Sequence, residues 1–473
     1  MTRFRVCLPL LLLLSTAGFF LSLNGCGGGS SSHAQLRSPL IQHVVIIFQE
    51  NRTPDNLFQD PVLINRPNGA DIQNFGVNST GQTIPLSPTD LGTDGSSPQN
   101  YDLNHSHHSF VLMYDGGKMD GADLIPCFPS PCPSNIPPTP QFKYVNPSDV
   151  QPYFQLAEKY TFGDRMFQTN QGPSFPAHQF IISGTSAPTA TSNLFASDNI
   201  FPGVSGAGCL AAANEMVHMI DPSGTESSFQ YPCFEHPTLT DMLDSKGISW
   251  RYYAPLAGSI WTGPDAIKHI CQPQTQNNQL VCTGAAWANV IIPQTQVLTD
   301  IANNQLAAVS WVIPTGATSD HALQNDGSGP SWVASIVNAI GNSSYWSNTA
   351  IIITWDDWGG WYDHVPPPRV LVNCTQWGCG YVYGFRVPLI IVSPYAKAAY
   401  ISHTPHDFGS ILKFIEENFG LPSLGYADAN SLDDLSDCFN FSQTPLTFQT
   451  IPAPLSAEHF LNDRRPPTDP DDD

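Results

Sequence analysis

Two stretches of this chain constrain its fold more than any other feature. His43-Val44-Val45-Ile46-Ile47-Phe48 and Ala350-Ile351-Ile352-Ile353-Thr354-Trp355 are continuous apolar, largely β-branched runs, far apart in the chain and nearly alike in pattern. Neither alternates polar with apolar residues, so each reads as a strand buried on both faces, as in a parallel sheet. Ile248 to Tyr253, Ala307 to Ile313 and Pro388 to Val392 are further strand candidates. Between them Val150 to Tyr160, Thr238 to Ser245, Ser331 to Ile340 and Phe408 to Phe419 carry helical spacing. Buried strands alternating with helices predict an α/β layered domain, its central sheet mainly parallel and flanked by helices. The turn-rich stretch 68–147 and the proline- and cysteine-bearing region 197–296 predict loop-rich insertions.

Both apolar runs end on acids. The first leads into Glu50-Asn51 and the second into Asp356-Asp357. Sites in parallel α/β sheets form just outside the carboxyl ends of the strands, and oxygen ligands delivered there by two strands suit a hard or borderline divalent cation. A single acid after a strand is more often a turn or capping residue. Two such pairs on two near-identical runs reverse that preference. The loop from Asp356 to Pro368 is aromatic and holds the adjacent pair Gly359-Gly360, which permits close backbone approach to a ligand. His364, beside Asp363, is a candidate proton donor or phosphate-oxygen partner in that loop.

Charge and targeting narrow the function. At 473 residues the chain can bury a sizeable core, and its formal charge of -22, with 40 acids against 18 Lys and Arg, argues against a broad basic surface for nucleic acid. A small phosphate ester held by a metal is untouched by that argument. Arg3 and Arg5 precede an uncharged apolar stretch, Leu8 to Leu23, too short to span a bilayer comfortably. Leu23-Asn24-Gly25-Cys26 resembles a bacterial lipobox, and a Gly/Ser run follows. The segmentation expected is a signal peptide over 1–25, a lipobox cysteine and tether over 26–38, a catalytic domain over 39–455, and an acidic, disordered tail over 456–473. A simple signal peptide with a chance cysteine is the competing reading. The first reading predicts an exported protein, periplasmic or at the cell surface, touching a bacterial membrane through a lipid on Cys26. Cys127 with Cys132, Cys209 with Cys233, Cys271 with Cys282 and Cys374 with Cys379 are near neighbours, as local disulfides of an exported chain would be. Cys438 has no such neighbour.

Five blocks carry a resemblance. HVVIIFQENRTPDNLF from His43, GGKMDG from Gly116, DDWGGWYDHVPPP from Asp356, GFRVPLIIVSPYAK from Gly384, and Ser402-His403-Thr404-Pro405-His406-Asp407 with the helix after it span nearly all of the mature domain. Together they resemble the phosphoesterase family of bacterial and plant non-specific phospholipases C and related acid phosphatases. The resemblance implies a layered fold similar to alkaline phosphatase. It implies a divalent metal held by Glu50, Asn51, Asp356 and Asp357, with Ser174 (in GPSFPAH) as the attacking nucleophile. His105, His321 and His364 match histidines that the family places around the phosphate, His178 follows the nucleophile closely, and His403 is a weaker candidate. Two departures weaken the transfer of substrate preference. The family's acidic pair is often Asp-Glu followed by His, whereas here it is Asp356-Asp357-Trp358, and Phe408 stands where a histidine is common.

The expected reaction is hydrolysis of a phosphate ester through a serine nucleophile, with a phospholipid as substrate in a phospholipase C or a phosphomonoester in an acid phosphatase. A non-catalytic surface lipoprotein is a competing class. A sulfatase is a third, opposed by Ser174-Phe175-Pro176-Ala177-His178, which lacks the arginine of the sulfatase sequence.

Overall fold

The computed structural model describes residues 40–92, 101–128, 132–134, 136–203, 206–371 and 380–468. The signal peptide, the lipobox, the tether and the Cys374–Cys379 pair lie outside the described residues.

One nine-stranded sheet organises the chain. In chain order its strands are β1 (His43–Gln49), β2 (Thr161–Phe167), β3 (Trp250–Tyr253), β4 (Val290–Ile291), β5 (Val309–Val312), β6 (Thr349–Trp355), β7 (Arg386–Val392), β8 (Tyr400–Ser402) and β9 (His406–Asp407). Their spatial order is β4-β3-β5-β1-β6-β7-β2-β8, with β9 also on β2. The two apolar runs, β1 and β6, are direct parallel neighbours, in register from His43 opposite Thr349 to Gln49 opposite Trp355. Every residue of β1 from Val44 onward and all of β6 is buried. Continuous hydrophobicity is what such a central position demands.

All but one of the strands run the same way. β7 is antiparallel to both β6 and β2. Among the described residues no helix lies between β6 and β7, and the next strand points back, as an antiparallel neighbour needs no helical crossover. The sequence reading did not anticipate β2. Asp164 and Arg165 interrupt its apolar pattern, yet Asp164 is wholly buried and its carboxylate is bonded by the Asp71 amide and by His403.

Helices cover both faces. Phe48 lies edge-on to Phe408 and His178, of the helices α5 (Phe408–Phe419) and α2 (Ser174–Ser183). One register step on, Trp355 packs edge-on to Tyr153 of α1 (Gln151–Lys159) on the opposite face. There α1 meets α4 (Gly329–Gly341), while α3 (Leu239–Ser245) opens with a capping box built by Thr238 and Asp241. The insertion region folds into a small antiparallel sheet of Phe195–Phe201, Met216–Ile220 and Glu226–Gln230. Disulfides join Cys127 to Cys132, Cys209 to Cys233 and Cys271 to Cys282. Cys438 is free and buried.

The expectation of a disordered tail from 456 is corrected for its first part. Ala457–Asn462 is a helix, and Phe460 is buried edge-on against Trp332. Leu455 and Ala457 pack against the same core, so a few apolar contacts order a short polar segment that composition alone marks as loose. Among the described residues no helix is long and apolar enough to cross a membrane.

Candidate active site

The register of β1 and β6 brings their terminal acids together. Both strands end at the same level, and the Asp356 amide donates to Gln49 O at 2.8 Å. Asn51 then turns into the left-handed region, φ 61°, which costs a non-glycine residue energy that its surroundings must supply. Its own amide donates to Asp356 Oδ1 at 2.9 Å and holds it there. Gly359, also at positive φ (62°), passes so close that a Cβ would lie 2.4 Å from Asn51 O. The loop after β6 and the turn after β1 are thus locked against each other.

Ser174 reaches the same point from the far side of β7. It opens α2, just past the carboxyl end of β2, in a turn where a Cβ on Gly172 would lie 1.7 Å from Ser197 O. Its hydroxyl lies 2.5 Å from Asp356 Oδ2, 3.3 Å from Glu50 Oε2 and 3.5 Å from Asp357 Oδ2. All four side chains are wholly buried. The amide of Phe175 donates to Asn199 Oδ1 at 2.9 Å, which fixes the first turn of α2. The positive end of that helix lies at the hydroxyl and favours the alkoxide over the alcohol.

Histidines lie beside these groups. His178, one turn along α2, places Nε2 3.2 Å from Glu50 Oε1 and 3.9 Å from Asp356 Oδ2. His105 Nδ1 lies 2.8 Å from Leu103 O, and its Nε2 lies 3.2 Å from the side-chain nitrogen of Asn51. The ring therefore orients the Asn51 amide. Asn51 Oδ1 is buried and has no hydrogen-bond partner among the described residues. His321 lies with its ring 5.9 Å from that of His105 and 6.0 Å from Trp261, with Asp102 Oδ2 3.4 Å from its Nδ1. The loop that carries it is anchored at Asp320, where Arg52 donates to the carbonyl, and Tyr153 and Trp355 donate to the carboxylate. Burial pushes the Asp320 carboxyl up to about 6 against the pull of Arg52 and those two donors.

The expectation for His364 is corrected. It does not join the groups around Ser174. Its Nδ1 lies 2.6 Å from Asp55 Oδ2 and its Nε2 3.0 Å from Asp71 Oδ1, in a cluster closed by Asp363 and Arg386. Burial opposes its charge, but hydrogen bonds to Asp55 and Asp71 and attraction to Asp55 and Asp363 prevail and hold it up at about 9. With both nitrogens committed to carboxylates, it is a cation of the framework. His403 is likewise elsewhere, 2.8 Å from Asp164.

The arrangement asks for a cation. Three buried carboxylates face one hydroxyl, and gathering like charges in a buried site is costly. The guanidinium of Arg52, next in the chain after Asn51, goes to Asp320 O and Asn56 Oδ1. Glu50, His178 and Asp356 each offer a donor atom within 4.8 Å of the others. The carbonyl oxygen of Asn51 and the carboxylate of Asp357 complete an oxygen-rich set. These residues fit a divalent metal. In the Asp55–Asp363–His364 cluster, whose donor atoms are as close, Arg386 already supplies the cation.

Residues with no signature in the sequence complete the site: Tyr252 and Trp261 against His178, Asn199 at the start of α2, and Asp102 beside His321. Tyr252 alone had an indirect signal, since it lies in an anticipated strand close to its carboxyl end.

Comparison with known proteins decides the family. Residues 41–422 match the model of the phosphoesterase family. The chain belongs to that family. Phospholipase C B of Mycobacterium tuberculosis is 25% identical over 489 residues, covering 91% of this chain and 84% of that protein. Hemolytic phospholipase C of Pseudomonas aeruginosa is 25% identical over 428 residues, 80% of this chain, and the chain spans 53% of that relative's length. Non-specific phospholipase C1 of Arabidopsis thaliana is 30% identical over a shorter stretch of 123 residues, 23% of each chain. Among solved structures, an alkaline phosphatase superfamily protein from Vibrio parahaemolyticus aligns with a TM-score of 0.35 at 10% identity, over 85% of this chain and 71% of the other.

Proposed function

We propose that this phosphoesterase cleaves phospholipids in the manner of a phospholipase C, with Ser174 as nucleophile and a divalent metal at Glu50, Asn51, Asp356 and Asp357. The observation that carries the reading is the approach of Ser174 Oγ to Asp356 Oδ2, at 2.5 Å, among carboxylates from two distant strands. A bound divalent cation supplies charge neutralisation at the phosphoryl oxygens and lowers the pKa of a hydroxyl beside it.

The rest falls to the chain's own groups. Asp356 Oδ2 stands where it can accept the Ser174 proton, and the amino end of α2 stabilises the oxyanion left behind. Attack in line forms the bond from Ser174 Oγ to phosphorus and breaks the bond from phosphorus to the leaving oxygen. His321, backed by Asp102, gives the leaving alcohol its proton. His105 acts through Asn51 by holding its amide. Water then cleaves the phosphoserine and returns Ser174 to the hydroxyl form. Because Ser174 is wholly buried, turnover includes an opening step that admits substrate.

The lipobox-like segment ending at Cys26 supports export and anchoring in a bacterial membrane, which brings the site to phospholipid. The relatives named as phospholipases C favour the same substrate class. An acid phosphatase acting on phosphomonoesters is the second reading, favoured by the closed site, which suits a small ester. Purified protein assayed on phosphatidylcholine vesicles and on p-nitrophenyl phosphate separates them. We expect diacylglycerol release, abolished by chelation and restored by a divalent metal. Hydrolysis of the monoester alone would sink the lipase reading, and full activity after exhaustive chelation would sink the metal.

A further inference from the structure

The amino end of α2 holds a side-chain donor where its own backbone has few to give. A helix that starts beside a phosphoryl group offers it free amides. Here the first turn after Ser174 is used up. The Phe175 amide donates to Asn199 Oδ1 at 2.9 Å, Pro176 has no N–H, and the Ala177 amide closes on Pro173 O at 3.4 Å.

The carboxamide of Asn199 stands in their place. An amide N–H only donates, so the atom that meets Phe175 is the oxygen and the NH₂ is the other end of the group. That nitrogen has no hydrogen-bond partner among the described residues, and Asn199 is only 4% exposed. Burying a donor with nothing to receive it costs free energy. A carboxamide held this way, one residue past the nucleophile, fits an acceptor that arrives with the substrate.

The strand that carries it is shaped to present it. Within Phe195–Phe201, Ile200 pairs with Val217 and Ala196 with Met219, so three residues, Ser197 to Asn199, lie opposite the single His218. Bulges re-aim side chains and recur beside active sites. Both neighbours of Asn199 in the bulge are pinned. Ser197 O approaches Gly172 so closely that a Cβ there has no room, and Asp198 Oδ1 accepts from the His107 amide at 2.7 Å.

We propose that Asn199 is a further catalytic residue, whose Nδ2 donates a hydrogen bond to a non-bridging oxygen of the phosphoryl group as Ser174 Oγ bonds to phosphorus. The inference rests on Ser174 being the nucleophile. Negative charge on that oxygen meets a donor already oriented by the Phe175 amide, with no reorganisation during the step. Phosphodiesters and phosphomonoesters both carry such an oxygen, so the role is the same for either substrate class.

Two substitutions separate donation from capping. Asn199→Asp keeps an oxygen for the Phe175 amide and loses the N–H. Asn199→Ala loses both and adds no charge. In the metal-loaded full-length protein, acting on the ester it turns over, kcat should fall by about 10²- to 10³-fold in each variant, with KM changed far less. Affinity for orthovanadate, a mimic of five-coordinate phosphorus, should fall with kcat, and Asn199→Asp should melt with the wild type. Wild-type kcat in either variant, or a loss of kcat with vanadate affinity kept, would overturn the proposal and leave Ser174 standing. A vanadate-bound crystal structure of the wild-type protein reads the contact without any variant. An oxygen within about 3.2 Å of Asn199 Nδ2 is expected, and none within that reach would overturn it. Absence of a phosphoryl group from Ser174 during wild-type turnover would overturn the nucleophile and this proposal together.

Discussion

At the scale of single residues, the site depends on a few backbone positions that chemistry alone does not advertise. Asn51 is read from the sequence as a ligand, but its left-handed backbone is what turns its main-chain amide onto Asp356. Gly359 makes that possible by leaving room where any Cβ would strike the Asn51 carbonyl. Gly359→Ala is therefore expected to displace Asn51 as well as strain its own φ, costing about 1–3 kcal/mol of stability. Activity should fall further than that stability loss explains, with metal affinity reduced in parallel; a variant with wild-type metal affinity and turnover would show that the two loops are not coupled in this way. Glu50, Asn51, Asp356, Asp357 and Ser174 were legible because acids at strand ends and a family motif mark them. Tyr252 and Asn199 were not, since a tyrosine in a buried strand and an asparagine in a small sheet look like ordinary core and turn residues. His364 misled for the opposite reason. It sits in a motif full of chemistry, and only the fold shows that Asp55 and Asp71 hold both of its nitrogens.

At the scale of elements, β1, β3, β5, β6 and β7 announced themselves as short, largely apolar runs and four of the helices by their periodicity, because strands and helices packed in a central layer have no freedom to be anything but apolar on the faces they bury. β2 escaped notice because its polar residues are satisfied by partners distant in the chain. The reversal of β7 escaped notice because no local signal encodes strand direction. The start of β7 also holds the ionic cluster of Arg386, Asp55, Asp363, His364 and Asp71, which ties the loops after β1 and β6 to the sheet. A hydrogen bond from His364 is the main reason that Asp71 is lowered to about 2, while His364 itself is held at about 9. The histidine is raised in the folded state, so its contribution is complete below its unfolded value near 6.5 and is lost as pH rises through about 9. Asp71 is depressed, so its contribution is present above its unfolded value near 3.8 and is lost as pH falls through about 2. Melting temperature should therefore decline between pH 6.5 and 9, and His364→Gln should flatten that decline relative to wild type. Parallel wild-type and variant curves across that interval would contradict the assignment.

At the scale of the whole molecule, one topological fact generates the function. Parallel strands deliver their following loops to a single edge, so groups distant in sequence, after β1, β2, β5 and β6, converge there. The net charge of -22 gives no general attraction for a phosphate ester, which places the burden of binding on a local cation and the amino end of α2. The account stands or falls on covalent chemistry at Ser174. Acid quenching of the enzyme during turnover of a phosphate ester, followed by mass mapping of the peptide that holds residue 174, reads this directly. The prediction is one phosphoryl group on Ser174, absent from a folded Ser174→Ala protein whose turnover is down by on the order of 10³-fold or more. An unmodified Ser174 together with wild-type turnover by Ser174→Ala would contradict it.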